Sequence, residues 1–366
     1  MDQIPAAMDR HLDVLQSHKD GGILLGASSL TGRYWLGSIW FYENPDLAPD
    51  VEKCTAGVQL EAGISDLQWV DDTRVLVALD TGGIELWHLV DNFHTFTHLQ
   101  TATEHDDVVS TVSVSCDKKR AASGSYDRCI KVWDLASNKS VHSYRGHADM
   151  VSVVAYSHSQ PDVFISCSQD DNLLLWDTRK PRPARQIDKR CLEACPTCVC
   201  WKPDNDYTLG VGSEMGELCV LDTRKDSDKP LYGTPHRRAV HRLQFSTHSP
   251  SLLASVSDDS SVALSQIDSS SFKLLYKDTE HQDFVRGVCW VSTVKVYTCG
   301  WDSAVKRHLV EMDVTRHTPD QKEPVIMEVN GEKRDSTTPD MDMPHKNCSN
   351  KVTEADQGTP VPVASS

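Results

Sequence analysis

Strand-length runs of alternating apolar and polar residues, closed by turn residues, recur along most of the 366-residue chain. The clearest are rich in β-branched residues or leucine and end in an aromatic residue. They are Ser38-Ile39-Trp40-Phe41, Ile84-Glu85-Leu86-Trp87, Ile130-Lys131-Val132-Trp133-Asp134 and Leu173-Leu174-Leu175-Trp176-Asp177. Weaker copies follow at Leu218-Cys219-Val220-Leu221-Asp222, Val262-Ala263-Leu264-Ser265 and Ala304-Val305-Lys306-Arg307-His308. Positions 40, 87, 133, 176, 221, 265 and 308 are then equivalent, at spacings of 47, 46, 43, 45, 44 and 43. Period-two alternation in runs this short predicts β-strands. A repeat of about 40–45 residues built from such strands predicts an all-β fold, a β-propeller of four-stranded blades. Seven equivalent positions predict seven blades.

A second register runs through the same repeat. Asp127, Asp170, Asp259 and Asp302 each stand six residues before the strand-end position. A hydroxyl stands four residues before each of them, at Ser123, Ser166, Ser255 and Thr298, and a histidine 21 to 23 residues before, at His105, His147, His236 and His281. Ser, His and Asp are also the residue types of a hydrolytic triad. A triad occurs once, however, and this set recurs four times at one period. It is read as a buried network that includes Trp133 and Trp176 and pins each blade's hairpin to the loop before it. Blade 5 has Val211 and Met215 at the hydroxyl and aspartate positions, which predicts a looser hairpin there.

The repeat places residues 20–312 in the propeller. The N-terminal segment, 1–19, contains the weakly alternating run His11–His18, expected to close the ring as an outer strand of the last blade. Residues 313–366 are rich in Pro, Thr, Ser, Asp and Lys without periodicity, which predicts a disordered tail. Lys and Arg number 37 against 53 Asp and Glu, a net charge of −16, which argues against tracking nucleic-acid phosphates and favours basic partners. No apolar stretch is long enough to span a membrane. The N-terminus does not read as a secretory signal, so an intracellular protein with mostly reduced cysteines is expected.

Several motifs carry possible chemistry. Cys191, Cys195, Cys198 and Cys200 suggest zinc, yet no second pair lies at module spacing and Cys198-Val199-Cys200-Trp201 alternates as a strand; buried thiols are expected. Gly210-Val211-Gly212 with Gly216 fits neither phosphate-loop spacing. Asn138-Lys139-Ser140 matches a glycosylation triplet. No catalytic group, cofactor or metal is expected. In a propeller blade the hairpins joining the second and third strands share one face, the top, with the loops between blades. Tyr126, Phe284 and Trp301 fall there as candidate partner contacts. So do Asp107, Asp171 and Asp258, which lack an assigned structural partner and are expected to attract cationic tails. The first hairpin carries an insertion that sets Arg33, Tyr34 and Trp35 in a Gly-bounded turn on this face. Trp, Tyr and Arg dominate binding hot spots.

Three segments carry a resemblance. They are Leu24-Leu25-Gly26-Ala27-Ser28-Ser29-Leu30-Thr31-Gly32-Arg33-Tyr34-Trp35, Glu104-His105-Asp106-Asp107-Val108-Val109-Ser110-Thr111-Val112-Ser113-Val114 and His281-Gln282-Asp283-Phe284-Val285-Arg286. With them the chain resembles, over roughly residues 8 to 312, the methylosome protein 50 family of WD-repeat proteins. That resemblance implies a non-catalytic propeller bound to the N-terminal barrel of protein arginine methyltransferase 5. It implies a hetero-oligomer that helps present Arg-rich histone and spliceosomal Sm protein tails for symmetric dimethylation, in cytoplasm and nucleus. It places Arg33-Tyr34-Trp35 at the enzyme contact. A second resemblance sets Trp176-Asp177-Thr178-Arg179, echoed by Leu221-Asp222-Thr223-Arg224, beside the element by which some propellers dock to cullin ubiquitin-ligase adaptors. It implies the alternative function of a substrate receptor.

Overall fold

Each apolar run that defined the repeat forms the third strand of an antiparallel sheet, so Trp40, Trp87, Trp133, Trp176, Leu221, Ser265 and His308 occupy one structural position. The structure is a computed structural model that describes residue 5 and residues 7–31, 34–188, 192–224, 230–268 and 270–310, without the side chains of residues 30, 31, 34 and 35. The tail expected to be disordered lies outside the described residues. Among those described there are seven sheets, six of four strands and one of three. The first strands of successive sheets pack against one another in a closed ring, and those of blades 1 and 7 meet. This is the seven-bladed propeller.

Side chains on both faces of each sheet are buried between neighbouring blades. Leu76 and Ala78 of blade 2, for example, share a cluster with Val109, Val112 and Trp133 of blade 3. Trp40, Trp133 and Trp176 are fully buried. A sheet with two apolar faces has no stable existence alone, so stacking and folding are one event.

The structure corrects the placing of the N-terminal run. His11–Ser17 pairs antiparallel with Ile23–Thr31, with Leu15 opposite Leu25, and is the inner strand of blade 1. The propeller thus begins at His11, inside the segment 1–19 that was set apart. Leu12, Val14 and Leu15 are all fully buried. An inner strand is covered on both faces, which blunts its alternation and makes it read like a poor outer strand. Blade 7 has three strands among the described residues, Val285–Trp290, Lys295–Gly300 and Val305–Leu309.

The ring closes through side chains. Leu12, Leu15, Leu25 and Trp40 of blade 1 share a core with Cys289, Tyr297 and Cys299 of blade 7. Gly287 permits the approach, since a Cβ there would lie 2.5 Å from Cys299 Sγ and 2.9 Å from Leu15 Cβ. Trp301 Nε1 donates to Asp13 Oδ1 at 2.7 Å, Ser28 donates to the same carboxylate, and Ser303 Oγ donates to the Arg10 carbonyl at 2.8 Å.

Candidate partner interface

The recurring His, hydroxyl and Asp residues meet in space. In blade 3, His105 lies 2.8 Å from Asp127 through Nδ1 and 2.7 Å from Ser123 through Nε2, and Trp133 Nε1 donates to Ser123 Oγ at 2.8 Å. In blade 4, His147 lies 3.0 Å from Asp170 and 2.6 Å from Ser166, which accepts from Trp176 Nε1 at 2.8 Å. In blade 7, His281 lies 2.8 Å from Asp302 and 2.9 Å from Thr298. Blade 6 departs from the pattern. His236 Nε2 meets Ser255 at 2.7 Å, but its Nδ1 meets Ser261 at 2.7 Å and Asp259 only at 3.4 Å, and Ser261 donates onward to Asp259. All four imidazoles are buried, and burial lowers their pKa values against the opposing pull of the aspartates. These sets are enclosed within blades, unlike a catalytic group facing a substrate cleft.

The aspartates also shape the hairpins. Asp127, Asp170, Asp259 and Asp302 each accept from the backbone N–H two residues on, at 2.8, 3.0, 3.0 and 3.2 Å. The residue between is left-handed each time: Arg128 (φ 67°), Asp171 (φ 69°), Ser260 (φ 63°) and Ser303 (φ 61°). In blades 2 and 5, which lack the aspartate, glycine takes that position, as Gly82 (φ 81°) and Gly216 (φ 85°). Blade 5 has its own network, in which Ser213 Oγ donates to Glu217 at 2.9 Å and Tyr232 donates to the same carboxylate at 3.0 Å.

The top face carries the first hairpin. The second and third strands of blade 3 pair out to Gly124 opposite Ile130, three residues beyond the Ala121–Trp133 pair. In blade 1, pairing passes the equivalent Ser28–Gly37 through Ser29–Leu36 and Leu30–Trp35 to Thr31–Tyr34. The insertion therefore lengthens two strands rather than building a wide turn. Tyr34 and Trp35 are strand residues, while Arg33 lies outside the described residues.

At the channel mouth the expected anchors are differently disposed. Tyr126 is 41% exposed. Trp301 is half-buried, bonded to Asp13 and stacked on His11 with ring centroids 4.7 Å apart. Phe284 packs on Trp301 at 5.4 Å. The Arg286 guanidinium lies 4.5 Å from the Trp301 centroid and 5.3 Å from that of Phe284, and Arg238 lies 5.5 Å from Phe284. The chain's own arginines already occupy the cation-binding faces of these two rings. The acidic residues are also corrected. Asp258 faces Arg286 at 3.6 Å, and burial raises its pKa. Asp171 likewise has an interaction partner. Asp107 is exposed and accepts from the Val108 N–H at 2.7 Å within its own turn.

The WD domain, G-beta repeat family matches residues 96–134 and 138–177. The methylosome protein WDR77 of Xenopus laevis is 40% identical to the chain over 306 residues, 83% of this chain and 91% of that protein. The chain belongs to the methylosome WDR77 family. DDB1- and CUL4-associated factor 13 of Xenopus laevis is 26% identical over 173 residues, 47% of this chain and 38% of that protein. A chain in the crystal structure of a mitotic checkpoint complex matches with a TM-score of 0.67 over 85% of this chain and 90% of that one, at 18% identity, which is a likeness of fold.

The remaining motifs of this WDR77-family propeller take structural places. Cys198 and Cys200 lie on the inner strand of blade 5, and burial pushes both thiols up, Cys198 to about 12. Cys191 lies outside the described residues, and among those described no group of three or more His, Cys, Asp or Glu residues is set to hold a metal ion. Asn138 of the glycosylation triplet is 7% exposed. Trp176, Asp177 and Thr178 are buried, and Thr178 Oγ1 donates to Asp162 at 2.7 Å. Arg179 is exposed and folds back onto Asp177 at 2.8 Å. Sequence reasoning missed three polar partners. His308 Nε2 lies 2.8 Å from Thr298 Oγ1 where blades 3 and 4 use an indole, and burial lowers the His308 pKa to about 4. Ser38 accepts from Trp40 Nε1 at 2.8 Å, and Glu85 from Trp87 Nε1 at 2.8 Å. Each stands two residues before its tryptophan, a spacing visible in the sequence.

Proposed function

We propose that the chain is the non-catalytic adaptor of a methylosome. It binds the N-terminal barrel of protein arginine methyltransferase 5, with the long first hairpin at the contact. It helps present Arg-rich histone and Sm protein tails for symmetric dimethylation, in cytoplasm and nucleus. The observation that carries this reading is the 40% identity to methylosome protein WDR77 over 91% of that protein. Two features support it. The Ser, His and Asp sets are used inside the blades, and the hairpin carrying Arg33, Tyr34 and Trp35 outreaches that of blade 3 by three residue pairs. The exposed Asp106-Asp107 loop adds a negative edge that draws cationic tails, more strongly at low salt.

Affinity capture of the full chain from cells tests the proposal. The expected result is stoichiometric recovery of the methyltransferase, and its absence would overturn the reading. No observation favours the ubiquitin-ligase alternative, because Trp176, Asp177 and Thr178 are accounted for by packing within the propeller.

A further inference from the structure

The bottom face carries the turns between the first and second strands of each blade, and those after the third. A groove of about 630 Å³ opens there, lined by blades 2, 3 and 4. Arg74, Lys118, Lys119, Arg120 and Arg179 line it against Asp134 and Asp162, five cations to two carboxylates, on a chain whose net charge is −16. The arginines are already engaged: Arg74 with Asp71 at 2.7 Å, Arg120 with Asp162 at 2.8 Å and Arg179 with Asp177 at 2.8 Å. Asp134 accepts from the Ala136 and Ser137 backbone N–H groups at 2.8 and 3.2 Å. Lys118 and Lys119 are exposed on the first turn of blade 3; among the described residues neither is within ion-pair distance of a carboxylate, and they act at longer range on Asp72 and Asp117 respectively.

The groove also has an apolar part. Leu135 is buried at its base, Ala136 is exposed, and Val141 on the outer strand of blade 3 is 48% exposed. The lining holds no Phe, Tyr or Trp. Nucleic-acid strands bind where successive bases stack on a series of aromatic rings along a basic track, and the exposed His142 imidazole is the one aromatic ring in this lining. Two exposed ammonium groups held in no close ion pair, beside an aliphatic step, instead match a carboxylate-rich peptide carrying an aliphatic side chain. The volume lies within the usual range for a specific pocket.

We propose that this groove docks a short acidic segment of a partner protein, its carboxylates on Lys118 and Lys119 and an aliphatic side chain on Val141. The site is on the face opposite the first hairpin, and the inference does not depend on the methylosome reading. The probe is a short dye-labelled peptide of Asp and Glu around a central Leu, titrated by anisotropy against the full-length chain. Saturable binding that weakens with salt is expected. The double variant Lys118→Asn/Lys119→Glu should weaken it by about tenfold or more. Asn is chosen because it tolerates the left-handed backbone of Lys118, at φ 58°. Val141→Ser leaves every charge in place and should still weaken binding several-fold. Absence of saturable binding, or affinity unmoved by both variants, would overturn the proposal. So would a single-stranded oligonucleotide of matched charge that binds as tightly and displaces the peptide.

Discussion

At His147 the neighbours fix the direction of the hydrogen bonds. An indole N–H can only donate and a carboxylate can only accept, so the order is Trp176 to Ser166 to His147 to Asp170. Removing one member leaves buried groups unpaired, which costs about 1–3 kcal/mol. Denaturant unfolding of His147→Ala or Asp170→Ala should show that loss, and a variant as stable as the parent would contradict the network reading. The same residues set the pH response. Burial holds His105, His147, His236 and His281 below their ordinary 6.5, so below that pH the unfolded chain takes up protons that the folded chain refuses. Their contribution is full above 6.5 and is lost as pH falls through the depressed values. Asp127 and Asp170 act with the same sign below their ordinary 3.8, since hydrogen bonds outweigh the burial that alone would raise them. Melting temperature should fall from about pH 6.5 to 5, less steeply in His147→Ala; a flat profile would refute the linkage. Counting residue types at a fixed period found these four sets. It missed Ser261 and His308, because each performs a role with a different side chain.

At the scale of the element, each hairpin between second and third strands in blades 2 to 7 has one left-handed residue. An Asp before it or a Gly at it favours that conformation, which explains why blades 2 and 5 keep the same turn without the aspartate. The first hairpin is the exception in length. Its insertion was legible from Gly26 to Gly37, but its form was not, because a few extra residues fit a loop or two longer strands equally well. Pairing of Thr31 with Tyr34 settles it as strand. Trp35 lies in the extra pairs, past the Ser28–Gly37 pair that matches the end of pairing in blade 3. Trp35→Ala should therefore leave the melting temperature nearly unchanged. It should reduce affinity for the methyltransferase by about 2–4 kcal/mol, the range of a central aromatic hot spot. Unchanged affinity by calorimetric titration would remove the hairpin from the interface, and a large fall in melting temperature would show that Trp35 packs on the blade.

At the scale of the whole molecule, the open question for any ring of blades is what holds its ends together. Weak alternation in His11–Ser17 suits an exposed outer strand and a doubly covered inner strand alike; only tertiary packing, with Leu12, Val14 and Leu15 buried, distinguishes them. Because that strand pairs with Ile23–Thr31 of its own blade, no strand among the described residues is exchanged across the seam. Closure rests on the shared core of blades 1 and 7 and on the bonds around Asp13. Burial raises the Asp13 pKa, so its carboxylate depends on the donors it has, Ser28 and the Trp301 indole. A seam made of side chains should open at lower free energy than a blade packed between two complete neighbours. Hydrogen exchange read by mass spectrometry should accordingly show the strands 285–309 exchanging faster than the inner three strands of blades 3 and 4. Trp301→Phe keeps a ring against His11 and Arg286 while deleting the donor to Asp13. It should cost about 1–3 kcal/mol and speed exchange in blade 7 and in His11–Ser17 without changing that of blades 3 and 4. Uniform acceleration around the ring would instead mean that the propeller opens as one unit and that the seam is as strong as any other contact between blades.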